Sequence, residues 1–115
     1  VYVLVEDGDN TPRALIALVA TDSNTIEVKA LAVHPTFQRQ GYGRRMLDFA
    51  VELARGKAQR LLVGTGDAPT TLPFYERCGF TRCGVIPHFF RDHYPHPIVE
   101  AGVILDDMVL LERRL

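Results

Sequence analysis

The sequence contains no tryptophan and only two cysteines, Cys78 and Cys83, and each scarcity excludes something. Two cysteines are too few for a disulfide-stapled secreted scaffold, and no apolar leader opens the chain, so a reduced, cytoplasmic setting is expected. No apolar run approaches the ~20 residues of a membrane span, so a soluble protein without a membrane partner is expected. Charge of one sign is lacking too. Thirteen Lys and Arg against 14 Asp and Glu leave a formal net charge of -1, which removes any chain-wide bias toward nucleic acid or an anionic membrane. Electrostatic recognition must therefore be local. There is no internal repeat and no low-complexity linker, and 115 residues suit one domain, spanning residues 1–115, with little room for a second. The chain starts at Val1 directly in the strand-like "VYVLVE", the pattern of a domain trimmed or missing its N-terminal part.

What is present reads as a mixed sheet with at least two helices, an α+β fold. Residues 1–6 and 14–20 are short apolar runs separated by the turn formers "DGDNTP", and they read as adjacent antiparallel strands. After the turn "TDSN", the run "TIEVKALAV" sets Ile26, Val28, Ala30 and Ala32 against Glu27, Lys29, Leu31 and Val33. Its apolar end is expected to enter a covered, central position. The period then changes to helical. Gly43, Met46, Leu47, Ala50, Val51 and Ala54 share one face of a helix running from Gly41 to about residue 55, and Gly56 stops it. "RLLVGT" follows as a buried strand, so strand, helix and strand make a parallel βαβ unit with a right-handed crossover. A shorter helix is expected next, capped by Thr70 or Thr71, with Pro73 in its first turn and its end at Gly79, where Phe80 packs back. "TRCGVI" and "DDMVLLERR" are the final strand candidates.

The chemistry concentrates between the third strand and the first helix, in "LAVHPTFQRQGYGRRML". Three arginines, Arg39, Arg44 and Arg45, surround a helix start that already carries positive partial charge. No acidic residue enters the helix before Asp48. Gly41 and Gly43 permit positive φ and close backbone approach, so consecutive N–H groups can converge on one concavity. Helix N-terminal amides add donors and a favourable field. Two readings stand: a phosphate or pyrophosphate site, or a solvated basic turn whose glycines serve geometry alone. A dinucleotide fingerprint fits worse, because Met46 stands at the third glycine position, and no Gly-Lys-Ser/Thr follows for a P-loop.

"Gln38-Arg39-Gln40-Gly41-Tyr42-Gly43" resembles the Q/R-x-x-G-x-G/A acetyl-CoA loop of the GNAT superfamily of N-acetyltransferases. It follows "LAVHP", opens a helix, and precedes a second similar segment, "FYERCGF", by about thirty residues. The resemblance runs over nearly all of residues 1–115 in the family's order of elements, without the usual first strand and first two helices. It implies acetyl-CoA as donor, with the Leu31, Ala32 and Val33 backbone on the pantetheine arm and the amides from Gln38 or Arg39 through Gln40, Gly41, Tyr42, Gly43 and Arg44 on the pyrophosphate. Arg45 adds charge. It also implies a slot where the central strand and the one after the helix splay apart, and it leaves a homodimer open.

Acetyl transfer to an amine needs a deprotonated amine, a stabilised oxyanion and a proton for the leaving thiolate. The resemblance implies a backbone N–H near Val33 for the oxyanion and Tyr75 to protonate the thiolate or orient the sulfur. The other reading of Tyr75 is an aromatic packed under the sheet. Glu27 stands roughly where many family members carry a carboxylate acting through water, and it reads equally as an exposed strand charge. Asp106, Asp107 and His88 stand behind it as candidate bases. Asp67 sits near a position where the family often has Asn touching the cofactor's arm. An Asp there accepts but cannot donate as an amide does.

The segment "IPHFFRDHYPHPIVEAG" carries His88, Phe89, Phe90 and Tyr94. It resembles a subset of bacterial GNAT proteins with an extended segment between the last two strands, ending in an "I-x-E-x-G…D-M" pattern met here by Ile98, Glu100, Gly102, Asp107 and Met108. The implied role is a wall of the acceptor pocket, suited to a small organic amine. A loop ordered by its aromatics against the sheet or a second subunit is the other reading. Zinc held by His88, His93 and His96 with a cysteine is disfavoured, because histidine spacings of five and three match no familiar ligand pattern, and no metal is expected. The reading that follows is an acetyl-CoA-dependent N-acetyltransferase. A non-catalytic acyl-CoA-binding module is the alternative.

Overall fold

The computed structural model describes residues 1–6 and 8–115. Asp7, in the first expected turn, lies outside the described residues. The chain divides into two compact units, residues 1–61 with 114–115, and residues 62–113.

The first unit opens on the hairpin of β1 (Tyr2–Glu6) and β2 (Asp9–Ala20), followed by β3 (Thr25–Val33), in the order β1-β2-β3 with both pairings antiparallel. β2 starts at Asp9, five residues earlier than its apolar run. The Thr11 N–H donates to the Asp9 carboxylate, and Pro12 is accommodated inside the strand. The expected alternation of β3 does not hold to its end. Pairing with β2 slips between Ala17 and Leu18, whose partners are Ala30 and Val28, so Lys29 is an extra residue in the ladder, a β-bulge. The slip exchanges the faces. Val28 is buried, whereas beyond the bulge Leu31 and Val33 are half-buried and Ala30 and Ala32 are exposed.

β3 leads through a short 3-10 turn (Pro35–Phe37) into α1 (Tyr42–Ala54). Its buried residues are Gly43, Met46, Leu47, Ala50, Val51 and Ala54, the full set expected from the helical period. This face lies against β2 and β3, where Ala14, Ile16 and Val28 complete the core. β4 (Arg60–Gly66) then starts beside the start of β3. The N–H groups of Gln59 and Arg60 donate to the Asn24 carbonyl, and Arg60 Nε donates to the buried Thr25 Oγ1 at 2.9 Å. Both strands therefore leave from the same end, as the parallel βαβ reading requires.

In the second unit the order is β4-β8-β5, with β5 (Thr81–Ile86) antiparallel to β8 (Met108–Arg114). Asp106 and Asp107 precede β8 instead of opening it. α2 (Thr71–Arg77) follows Thr70, whose side chain makes no capping bond. Pro73 still occupies its first turn, and the helix ends on left-handed Gly79, with the Phe80 N–H returned to the Tyr75 carbonyl and the Phe80 ring against Tyr75. The segment expected as a loop has structure of its own: α3 (Phe89–His93) and a hairpin of β6 (Val99–Glu100) and β7 (Val103–Ile104). Its two-residue turn places both Ala101 and Gly102 at positive φ, the geometry that matches strand twist. The elements are those of the mixed α+β fold expected, with β6 and β7 pairing apart as a two-stranded sheet. Among the described residues, no helix is long and apolar enough to cross a membrane.

Leu47 is fully buried in α1, while Glu52 is exposed on the opposite side and paired with Arg55. Leu47→Ala is expected to cost about 2–5 kcal/mol in denaturant unfolding, and Glu52→Ala no more than about 0.5 kcal/mol.

Candidate functional site

The connection from β3 to α1 is built on two left-handed residues. Gly41 has φ +87° and is the N-cap of α1, and Arg39 has φ +63°. Gly43, expected to share this role, is instead a buried helical residue. A Cβ at Gly41 would meet no protein atom within 4 Å, so glycine is needed for its backbone conformation and not for internal space. No side chain caps the helix and its first turn holds no acidic residue. The first bond within α1 runs from the Arg45 N–H to the Gly41 carbonyl, so the Tyr42 and Gly43 amides precede the helical ladder.

The approach to this turn is fixed by contacts that sequence reasoning did not single out. Arg13 stacks its guanidinium 3.7 Å from the centre of the Phe37 ring, and its carbonyl accepts the His34 N–H at 2.8 Å. Phe37 also meets the rings of His34 and Tyr42. The Gln38 amide donates to the Val33 carbonyl, and Gln40 to that of Thr36. Arg13 is marked only by register, since its neighbour Ala14 pairs with Val33. Of the three arginines, Arg45 is not reserved for an outside anion. Its Nη1 lies 2.8 Å from Glu6 Oε1, and its guanidinium lies over the Tyr42 ring.

Glu27 precedes the bulge and pairs with Lys29, Nζ to Oε2 at 3.2 Å. It is therefore neither isolated nor a plain solvated charge. Leu31, Ala32 and Val33 follow the bulge opposite Ile16, Leu15 and Ala14.

In the second unit Tyr75 is buried in α2, its ring edge-on to Phe74 and Phe80. Burial, with smaller contributions from Cys78 and Glu100, pushes its phenol from 10.0 up to about 12. Against a thiol of about 8.5, full transfer of the phenolic proton is then uphill by about 3.5 units, or about 5 kcal/mol. The group is a neutral hydrogen-bond donor, better suited to orienting a sulfur than to protonating it.

Asp67, just past β4, accepts the N–H groups of Asp106 and Asp107 at 3.2 and 3.4 Å. It thus performs an acceptor role that an Asp can fill. Phe90 and Tyr94 stack at 5.9 Å and line a cavity of about 420 Å³, together with Arg91, His96, Ile104 and Asp106. Phe89 stacks instead on His93. His88, at φ +57°, places Nδ1 2.9 Å from Asp106 Oδ1. The zinc set is not assembled. Among the described residues, the group of three or more ligand-type side chains drawn together is His88, Asp106 and Asp107.

A family model described as an acetyltransferase (GNAT) domain matches residues 1–82. The uncharacterized N-acetyltransferase YvbK of Bacillus subtilis is 33% identical over 96 residues, 82% of this chain and 62% of the relative. The chain thus spans less than two thirds of that relative's length. A GNAT family acetyltransferase from Elizabethkingia anophelis, solved with acetyl-CoA bound, is 36% identical with a TM-score of 0.87, over 93% of this chain and 71% of that one. A Bacillus subtilis acetyltransferase in complex with CoA is 30% identical with a TM-score of 0.87, over 92% and 71%.

The raised Tyr75 phenol has a consequence for stability. The unfolded chain ionises near pH 10 and the folded one near 12, so folding stability is lost as pH rises between them. Wild type is expected to lose up to about 1.4 kcal/mol per pH unit relative to Tyr75→Phe above pH 10, measured by urea unfolding at pH 9 and 11.

Proposed function

This chain belongs to the GNAT family of acetyltransferases, and from that premise we propose that it moves the acetyl group of acetyl-CoA directly to a primary amine of a small acceptor. The observation that carries the reading is the β3–α1 connection. Left-handed residues at Arg39 and Gly41 lead into a helix whose start has no side-chain cap and no acidic residue in its first turn, so its first amides are left without protein acceptors from the helix itself. That arrangement suits a pyrophosphate. Relatives solved with acetyl-CoA or CoA support the assignment.

In this reading the amides from Gln38 through Arg44 hold the phosphates, and Arg39 and Arg44 add positive charge. The β3 backbone from Leu31 to Val33 lies along the pantetheine arm, and an N–H near Val33 receives the developing oxyanion. The Lys29 bulge supports this, because it shifts the register with β2 and changes the covered face just before those residues. Tyr75 donates a hydrogen bond to the sulfur and stabilises the leaving thiolate without surrendering its proton. Glu27, the carboxylate the sequence offered for a water-mediated role, is tied to Lys29 on this strand, and Asp67 acts through the segment it holds. The cavity lined by Phe90 and Tyr94 takes the acceptor, with Phe89 packed on Phe90 and His88 held by the lining residue Asp106. Its aromatic and aliphatic walls fit a small amine better than a long basic peptide.

The deciding assay is thiol release from acetyl-CoA with polyamines, amino acids and aminoglycosides as acceptors. Amine-dependent release is expected. Acetyl-CoA binding without release would make the chain a non-catalytic acyl-CoA module. Tyr75→Phe is expected to lower turnover about tenfold or more while acetyl-CoA affinity stays nearly intact. In acetyl-CoA titrations, Gly41→Val should weaken binding about tenfold or more, because a β-branched residue at positive φ is strained. Arg45→Ala should change it less than about threefold, one exposed, already paired cation being worth little.

A further inference from the structure

We propose that His88 is the base that strips the acceptor ammonium, with Asp106 as the residue that positions it; the proposal rests on the acetyltransferase reading and gives that reaction a second unit of machinery. Four observations converge. His88 Nδ1 lies 2.9 and 3.1 Å from the two Asp106 carboxylate oxygens. With Nδ1–H donated there, Nε2 is the unprotonated, basic nitrogen. Asp106 also lines the cavity, which puts the carboxylate that holds His88 at the wall of a space sized for a small molecule. His88 itself stands at φ +57°, a conformation a histidine adopts only where its surroundings hold it.

Those surroundings are specific. The His88 N–H donates to Asp107 Oδ1 at 2.9 Å, and the His88 carbonyl accepts the Asp92 N–H. The Phe90 N–H donates to the Asp106 carbonyl, and Asp67 clamps the Asp106 and Asp107 amides from the end of β4. The charged groups around the ring are therefore Asp106 and Asp107 before β8, and Asp92, Arg91 and His93 on α3. Arg91 is turned toward Asp92 at 3.8 Å, and His93 Nδ1 is engaged by the Phe89 carbonyl at 2.9 Å. The carboxylate in contact with the imidazole is that of Asp106. The His88 side chain is 46% exposed, so a proton it takes up has a route to water.

The step balances. An alkyl ammonium of pKa about 10.4 is less than about one part in a thousand neutral at pH 7. His88 Nε2 takes one ammonium proton, and the freed nitrogen lone pair forms the C–N bond at the thioester carbonyl. The C–S bond breaks, the sulfur leaves with its electron pair, and the second amine proton ends on the thiolate. The imidazolium then returns its proton to solvent.

The test uses the amine giving the fastest CoA release with wild type, measured from pH 6 to 10. His88→Asn is the principal variant, because Asn tolerates positive φ and can still donate to Asp106. It is expected to lose about 100-fold in kcat/KM at pH 7. The loss should shrink toward pH 10, where the amine supplies its own free base, and acetyl-CoA affinity should stay within about twofold. Asp106→Asn should fall about tenfold with the same recovery at high pH. A His88→Asn variant within threefold of wild type throughout would overturn the proposal. So would a loss that is equal at every pH or is matched by weakened acetyl-CoA binding, since either marks a structural role. If His88→Asn does not fold by circular dichroism, Asp106→Asn alone decides: recovery at high pH supports the pair and its absence overturns it. Wild type releasing no CoA with any amine would sink the acetyltransferase reading itself, and that is seen before any variant is compared.

Discussion

The turn from β3 into α1 must change direction within a few residues while leaving a helix start uncapped, and the rest of the first unit is arranged around that requirement. Two left-handed residues make the turn, Arg39 and Gly41. Phe37 anchors it beneath the Arg13 guanidinium, and α1 is held in place by a face of small and aliphatic residues buried against β2 and β3. A helix end with no side-chain cap and no early carboxylate is unfavourable for the protein alone. The coenzyme phosphates of the proposed function would resolve it.

The second unit bears on a different requirement of the proposed reaction, the control of protons. Burial holds the Tyr75 phenol neutral up to about pH 12, which makes it a durable donor. Elsewhere in that unit, carboxylates gather the His88 imidazole, and Asp67 immobilises the backbone that carries them. The phenol is kept from ionising by burial, and the imidazole is held in place by Asp106. Acyl transfer to an amine needs both kinds of control, a stabilised leaving group and a deprotonated nucleophile.

Much of this was legible in the amino-acid sequence where the signal was periodic or local. The face of α1 could be read residue by residue, because 13 helical positions give the 3.6-residue period enough turns to declare itself. The left-handed glycine at Gly41 and the return of Phe80 onto Tyr75 are likewise local signals. The Lys29 bulge was not legible. It has no composition of its own, and it reverses which residues of β3 are covered. The Arg45–Glu6 pair joins positions 39 residues apart, so only the fold brings it about. α3, at five residues, is too short for any period to be counted. The His88–Asp106–Asp107 cluster was visible as three chemistry-bearing residues, but their meeting depends on how α3 and the start of β8 come together.

The central claim is that the backbone of the β3–α1 connection is the phosphate-binding element, and amide-resolved NMR tests it most directly. In a titration of the 15N-labelled protein with coenzyme A, the largest amide shifts are expected within residues 38–45. Omission of the phosphates, by titrating pantetheine alone, should leave those amides nearly unmoved. Large coenzyme A shifts confined to other parts of the chain, with residues 38–45 unaffected, would contradict the account.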